Sequence, residues 1–296
     1  MRSLTAMMMS KKIKIASYAI SIFMLIIGVA VFAAGSYLTA PNPSVIGELP
    51  SDLTGESIVI PSRSGSLLHG WYLPGEKGAG AIALLHSLHG SRLSMLSRAR
   101  LLHDAHYSVL LFDFQANGES PGKHVTFGYL ESIDAQAAVD YMRARQPDAK
   151  IGVIGMSMGG AAAIMAAPSL PIDALVVEAV YPSLDQAIAD RLTMRLGTWS
   201  EILIPLLTFQ IKPRLGFEPA ALRPITHVAS LHMPKLFIAG SEDLHTRIDE
   251  SRQLFAAASE PKEFWSVDGA AHIDLYAYAP KEYADRVLAF LATHLR

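Results

Sequence analysis

Hydrophobic and polar positions recur along this chain in two different patterns. Short aliphatic or β-branched runs, typical of buried strands, are separated by longer stretches in which apolar residues follow helical spacing. Helical spacing is clear near the end of the chain, where one face collects Tyr283, Val287, Phe290, Leu291 and Leu295. The alternation predicts an α/β domain with a mostly parallel sheet flanked by helices.

The same pattern locates the individual elements after residue 50. Eight strands are predicted at Ser57–Ile60, Leu67–Tyr72, Ala81–Leu85, Ser108–Phe112, Ile151–Ile154, Ala174–Val177, Lys235–Ala239 and Glu263–Val267. Helices are predicted at Arg92–His103, Tyr129–Arg145, Met158–Ala166, Ile248–Ala257 and Lys281–His294. Residues 182–224 interrupt the alternation with apolar, helical pieces such as Trp199–Phe209, which predicts a small helical cap inserted over the sheet.

The N-terminal segment has a character of its own. No charged side chain occurs between Ile15 and Gly47, and every charge before that run is basic. Residues 15–38 are apolar on every face and would form a helix of roughly 36 Å, enough to cross a hydrocarbon core of about 30 Å. We therefore predict a basic N-terminus (1–14), a transmembrane helix or signal anchor (15–38), a Pro-containing linker (39–50) and one large domain (51–296).

A cleaved signal peptide is the competing interpretation of this segment. Its apolar region normally spans about 7–15 residues and ends in an A-x-A-like site, whereas the run here is longer and Ala33–Gly35 matches such a site only in part. We favour an uncleaved, single-pass anchor, with the basic flank in the cytoplasm and the large domain on the non-cytoplasmic side. Cleavage would instead give a secreted protein.

Composition removes several functional classes. The 296 residues include 25 Lys+Arg and 27 Asp+Glu, for a formal charge of −2, and part of the basic share lies in the N-terminal segment. The large domain lacks the basic footprint of nucleic-acid binding, so we expect no nucleic-acid partner. A hydrophobic content of 51% argues against bulk disorder, and the absence of Cys removes thiol nucleophiles and cysteine metal ligands.

The strongest chemical signal is Gly155-Met-Ser157-Met-Gly159, which matches G-x-S-x-G between a predicted strand and an Ala-rich predicted helix. A serine on such a tight strand-to-helix turn points outward in a strained conformation, and the flanking glycines allow close approach of chain segments. The following helix directs its amino terminus at the serine, where its dipole favours developing negative charge. Ser157 is therefore the candidate nucleophile.

With this motif the chain resembles the α/β-hydrolase family from about Ser57 onward. Gly70–Pro74, Leu85-His86 after a strand, and Phe112-Asp113 followed by Gly118–Ser120 are similar to that family in the same order. The N-terminal apolar segment makes the chain similar to its membrane-anchored serine hydrolases. The resemblance implies an α/β-hydrolase fold, with a mostly parallel eight-stranded sheet and a cap, and no cofactor.

A serine nucleophile needs a base and a group that orients the base. The family order of serine, acid and histidine implies His272, on the loop after the last strand, as the base, and Asp243, after the penultimate strand, as the acid. Glu178, at the end of the Ala174–Val177 strand, is a second candidate because some relatives place the acid there, and Glu242 is a carboxylate next to Asp243. Asp113 is expected to cap the turn after its strand.

The family also implies two N–H donors for the oxyanion. The backbone of Met158 supplies the first, and the loop after Ala81–Leu85 supplies the second. If His86 aligns with the family, the donor is Leu88; if His89-Gly90 aligns, it is Ser91. Ser87 replaces a glycine that is common in relatives. His86 and His89 have no evident carboxylate partners, so no metal site is expected.

These residues favour a membrane-anchored serine hydrolase that cleaves an ester, thioester or amide, most simply a carboxylesterase or lipase-like enzyme. The expected partner is a small-molecule or lipid-like ester. The apolar cap residues could line a pocket for a hydrophobic acyl or alcohol group, or pack in the core. The alternatives are a serine peptidase of the same fold and a catalytically impaired binding or scaffold protein.

Overall fold

The structure is a computed structural model that describes residues 2–166 and 170–296. Residue 1, part of the predicted basic N-terminus, and residues 167–169, part of the predicted large domain, lie outside the described residues.

The described part of the chain forms an eight-stranded sheet. Its strands are β1 (Glu56–Pro61), β2 (Leu67–Leu73), β3 (Ala81–Leu85), β4 (Ser108–Phe112), β5 (Ile151–Met156), β6 (Ala174–Glu178), β7 (Lys235–Gly240) and β8 (Lys262–Val267). They lie in the order β1-β2-β4-β3-β5-β6-β7-β8, and every pairing is parallel except those of β2 with β1 and β4. The prediction of a mostly parallel eight-stranded sheet is confirmed.

Helices cover both faces of this sheet. They are α1 (Arg2–Leu38), α2 (Leu96–Asp104), α3 (Tyr129–Arg145), α4 (Met158–Met165), α5 (Leu184–Leu196), α6 (Ile204–Thr208), α7 (Ile211–Leu215), α8 (Ile248–Ala257), α9 (Leu275–Tyr278) and α10 (Pro280–Leu295). Alternation along β3 divides the core: Ala83 and Leu85 pack with α3, α4 and α8, whereas Ile82 and Leu84 pack with α2 and α10. Both faces are covered, so the central strands are apolar throughout.

One predicted helix differs in its first turn. The stretch predicted as a helix from Arg92 to His103 begins with a 3₁₀ turn, Arg92–Met95, and becomes α-helical only from Leu96. The backbone N–H of Arg92 and its guanidinium both bind the Asp113 carboxylate, at 2.7 and 2.6 Å. This contact with Asp113 fixes the conformation at the start of the segment. The helical spacing of apolar residues does not predict such a contact.

The chain between β6 and β7 forms the helical insertion over the sheet. It contains α5, a 3₁₀ segment (Thr198–Leu203), α6, α7 and short 3₁₀ turns. Ser183 begins the insertion by accepting the Gln186 backbone N–H at its side-chain oxygen, 3.3 Å away, which satisfies one of the unpaired donors at the start of α5. We refer to Leu184–Ala221 as the cap.

The first helix projects from the domain. Its segment Lys12–Leu38 has a mean hydropathy of 2.5 and is long and apolar enough to span a membrane or to serve as a signal sequence. Large side chains along it, including Ile20, Phe23 and Leu25, are more than half exposed, whereas Gly35 in its last turn and the following Thr39 are buried. From Lys12 to Leu38, where the side chains are described, it is therefore the last turns of α1 that pack against the rest of the protein.

Candidate active site

Ser157 lies on the tight turn between β5 and α4. Its backbone adopts φ 50° and ψ −113°, a strained conformation for a residue with a side chain. A Cβ on Gly155 would come within 2.6 Å of the Gly160 Cα, and one on Gly159 within 2.3 Å of the Leu85 backbone oxygen. The two glycines of the motif are therefore needed for the close approach of the turn to α4 and β3.

Asp243 and His272 meet on the loops that follow β7 and β8. The Nδ1 atom of His272 lies 2.7 Å from Oδ2 of Asp243. The other carboxylate oxygen, Oδ1, accepts the backbone N–H groups of His245 at 2.7 Å and Thr246 at 2.9 Å. The Asp243 side chain is fully buried while that of His272 is partly exposed, so the carboxylate is fixed and the ring keeps one accessible side.

Two further residues surround this pair. The His245 ring lies 5.1 Å from the His272 ring, centroid to centroid, and Arg191 of α5 donates to the His245 carbonyl at 3.3 Å. Burial, and then the positive charge of Arg191, lower the pKa of His245. Sequence reasoning missed both residues. Arg191 lies in the cap, and its contact depends on how the cap sits over the sheet.

The loop after β3 is anchored by His86 and closed by a turn. The buried His86 ring accepts the Phe114 backbone N–H at Nε2 (2.9 Å), and its Nδ1 donates to the Ser87 carbonyl (2.8 Å). Burial lowers the pKa of His86 from 6.5 to about 4, so the ring is neutral at neutral pH. The turn closes where the Gly90 N–H donates to the Ser87 carbonyl at 3.0 Å, with Leu88 between them.

Glu178, the second candidate for the acid, is engaged in a different network. Its carboxylate receives Arg98 Nη2 at 2.6 Å and Nε at 3.0 Å, and the Tyr283 hydroxyl also donates to it. All three side chains are buried. Glu178 therefore joins β6 to α2 and α10, whereas the histidine on the β8 loop is bound by Asp243. Glu242 is exposed.

Asp113 has the structural role that its position predicts. One oxygen accepts the Arg92 backbone N–H, and the other accepts both the Arg92 guanidinium and the Glu119 backbone N–H. Asp113 thus connects the turn after β4 to the start of the segment that leads into α2.

The predicted residues consequently lie at one edge of the sheet. Ser157 and Met158 follow β5, Leu88 follows β3, and the Asp243–His272 pair follows β7 and β8. Because the carboxyl ends of neighbouring parallel strands share an edge, these residues all follow strands at the same edge of the sheet. Within residues 2–166 and 170–296, no group of three or more His, Asp or Glu side chains is arranged to hold a metal ion.

Comparison with known proteins places this arrangement in a family. The model of the family described as serine aminopeptidase S33 matches residues 76–224, about half of the chain. The uncharacterized protein Rv2307c of Mycobacterium tuberculosis is 31% identical over 255 residues, which cover 85% of this chain and 83% of that protein. The uncharacterized protein YqkD of Bacillus subtilis is 25% identical over 241 residues, 79% of this chain and 78% of that protein.

Solved structures show the same architecture. The esterase Pf2001 of Pyrococcus furiosus is similar with a TM-score of 0.71 and 26% identity, over 86% of this chain and 99% of that chain. The hypothetical protein PA2218 of Pseudomonas aeruginosa, at 20% identity and a TM-score of 0.66 over 85% of this chain and 97% of that chain, shares the fold. The chain therefore belongs to the serine aminopeptidase S33 family and is an α/β-hydrolase.

Proposed function

We propose that this hydrolase cleaves carboxylic esters through a covalent acyl-enzyme formed on Ser157. The observation that carries the proposal is the 2.7 Å contact between His272 and the buried Asp243 carboxylate. A carboxylate held at Nδ1 keeps a proton there, which leaves Nε2 free to act as the base. The strained turn at Ser157 supports the same assignment, because this conformation presents a nucleophilic hydroxyl at the edge of the sheet.

The proposed reaction has two stages. In the first, Ser157 Oγ attacks the ester carbonyl as His272 Nε2 takes its proton, and the tetrahedral intermediate collapses as His272 returns that proton to the leaving alkoxide. In the second, water attacks the acyl-serine while His272 takes its proton and then gives it back to Ser157, which releases the carboxylic acid. Asp243 stabilises the imidazolium in both stages.

The oxyanion is assigned to two backbone N–H groups. Met158 is the first residue of α4, where the N–H has no partner inside the helix and the helix dipole favours negative charge. Leu88 lies within the turn that His86 and Gly90 fix at the end of β3, and it is the preferred second donor over Ser91. Two donors aimed at the developing oxyanion are the usual requirement of acyl transfer.

The ester preference rests on similarity to the esterase Pf2001. Amide cleavage by the same machinery is the second candidate, favoured by the family description as a serine aminopeptidase. A hydrolysis panel separates them: p-nitrophenyl esters of graded chain length are compared with aminoacyl and peptidyl amides. Turnover of esters but not amides supports the esterase, and the reverse result overturns it in favour of a peptidase.

Reaction with a fluorophosphonate tests the nucleophile itself. The full-length protein should be labelled covalently, and Ser157→Ala should lose labelling with little change in thermal stability. A folded wild-type protein that is not labelled would support the non-catalytic binding or scaffold alternative. Labelling that survives in Ser157→Ala would assign the nucleophile to another residue.

We also propose that α1 is an uncleaved membrane anchor, with the domain of residues 51–296 on the non-cytoplasmic side and residues 39–50 as the linker. The exposed apolar surface of α1 and the basic residues before it support this topology. N-terminal sequencing of the mature protein tests it. A start near Ser36 would show cleavage and a secreted enzyme instead.

A further inference from the structure

The cap carries large apolar side chains that face outward. Trp199, Ile202 and Phe209 are 66%, 74% and 79% exposed, and Leu206 is about half exposed. These four residues, which we call the cap face, belong to none of the core clusters among the described residues. A soluble protein rarely presents so many large apolar side chains in one short segment without a partner.

The end of α1 is attached next to the cap face. Gln210 Nε2 donates to the Val31 carbonyl at 3.0 Å, and Arg214 Nη2 donates to the Phe32 carbonyl at 2.8 Å. The Arg214 guanidinium also lies 4.2 Å from the centre of the Phe32 ring. A Cβ on Gly35 would come within 2.6 Å of the Gln210 side-chain oxygen, so α1 and the cap approach closely.

The point at which the cap contacts α1 determines how deep the cap lies relative to the bilayer. With a rise of 1.5 Å per residue, Val31 lies about 10 Å before the end of α1 at Leu38. If the hydrocarbon core begins just after Lys14, roughly the first 20 residues of the predicted 15–38 span cross it, and the core ends just beyond Phe32. The cap therefore contacts α1 at the boundary of the hydrocarbon core rather than above the membrane.

The cap face is continuous with that attachment. Phe209 directly precedes Gln210, and the Leu206 carbonyl accepts a hydrogen bond from Gln210 Nε2 at 3.3 Å. Side chains that begin at the level of Val31 and point away from the domain enter the membrane interface. Tryptophan is enriched at that depth, and a long arginine side chain can extend its charge from there to water.

We propose that the cap face is a lipid-docking surface, which inserts into the interface of the same bilayer that α1 crosses. The proposal rests on the proposed role of α1 as a membrane span, and it is independent of the catalytic assignment. The cap is thereby held in contact with lipid, and the hydrolase takes its substrate at the membrane surface.

Tryptophan fluorescence tests this proposal on the full-length protein. Among the three tryptophans, Trp71 and Trp265 are 1% and 5% exposed, so Trp199 alone is accessible to a quencher. The protein is reconstituted into vesicles of phosphatidylcholine and phosphatidylglycerol brominated near the headgroup end of the acyl chains. We expect quenching of the emission relative to unbrominated vesicles, and loss of most of that quenching in Trp199→Phe.

Two opposite results can be told apart. In the first, the protein resists alkaline extraction, but Trp199 is quenched by aqueous acrylamide and not by brominated lipid. This result would refute the docking surface and leave the membrane span intact. If alkaline treatment releases the protein, the span fails and the docking proposal falls with it. Fluorophosphonate labelling, measured on the same sample, reports the catalytic proposal separately.

Discussion

The side-chain amide of Asn42 donates a hydrogen bond to the backbone carbonyl of His89, 2.6 Å away. The contact joins the segment after α1 to the turn that contains Leu88. The Tyr37 ring, in the last turn of α1, also meets the His89 ring edge-on at 6.3 Å. His89 has φ 53°, an unfavourable conformation for a residue with a side chain, so the turn depends on external contacts of this kind.

Asn42→Ala should therefore slow catalysis without weakening substrate binding. Releasing the His89 carbonyl lets the Leu88 N–H move away from the oxyanion, and since outright loss of one donor costs about 10²–10³ in rate, partial displacement should lower kcat roughly tenfold. KM should change little, because the oxyanion forms only after binding. Steady-state hydrolysis of a p-nitrophenyl ester measures both constants.

Ser44→Ala is the matched control for that variant. Ser44 belongs to the same segment, and the contact that holds it is made by its backbone N–H to the Gly118 carbonyl at 2.9 Å, which the substitution retains. Its kcat should equal that of the wild type. An unchanged kcat in Asn42→Ala, or an equal fall in both variants, would contradict a positioning role for Asn42.

Asp243→Asn should abolish most activity while preserving the fold. The side-chain oxygen of the new residue can still accept the N–H groups of His245 and Thr246, which places the amide NH₂ opposite His272 Nδ1. His272 must then carry its proton on Nε2 and cannot accept one from Ser157, so kcat should fall by roughly 10⁴ at neutral pH. Ester hydrolysis measures kcat, and circular dichroism shows whether the fold is preserved. A fall of less than tenfold would argue that the acid lies elsewhere.

Glu178→Gln should lower the stability of the protein but leave its activity largely intact. The substitution removes the buried carboxylate that pairs with Arg98, while the Arg98 guanidinium keeps its ion pair with Asp274 at 2.8 Å. The free energy of unfolding should therefore fall, but by less than the roughly 3–5 kcal/mol that an uncompensated buried charge costs. Urea denaturation measures this loss. The kcat per labelled active site should stay near the wild-type value, because the His272 contact is made by Asp243. A well-folded variant without activity would identify Glu178 as the acid.

Local patterns in the sequence predict the features that arise from neighbouring residues. Apolar runs such as Ala81–Leu85 identify strands because both faces of the sheet are covered, and the predicted bounds of that strand agree with the structure. The turn at Ser157 is predicted because Gly155 and Gly159 are needed within the same five residues. His272 and Asp243 are expected from the family order, and the structure brings these two side chains into contact.

Features that depend on distant parts of the chain could not be predicted in this way. The Arg98–Glu178–Tyr283 network joins three elements far apart in sequence, and no spacing pattern connects them. The same holds for Asn42 and the His89 turn. In the cap, apolar composition predicts helices but not the direction in which Trp199 and Phe209 point, because helix direction is set by packing on the sheet and on α1.

The last prediction concerns the dependence of stability on pH through His86. The neutral ring is fully bonded, because Nε2 accepts from Phe114 and Nδ1 donates to Ser87, and a second proton would face the Phe114 N–H. The folded protein binds that proton only near pH 4, whereas the unfolded chain binds it near pH 6.5. The contribution of His86 to the free energy of unfolding is therefore fully present above pH 6.5. It is lost as pH falls toward 4, and the total loss is about 3 kcal/mol.

His86→Gln separates this contribution from the others. Glutamine can accept the Phe114 N–H with its side-chain oxygen but does not titrate, so the fall in unfolding free energy between pH 6.5 and about 4 should be smaller than in the wild type. Burial raises the pKa of Asp134 to about 6, which favours the folded state as pH falls and acts equally in both proteins. Urea denaturation across this pH range provides the comparison. Identical slopes in the two proteins would show that His86 takes up its proton at the same pH in the folded and unfolded states.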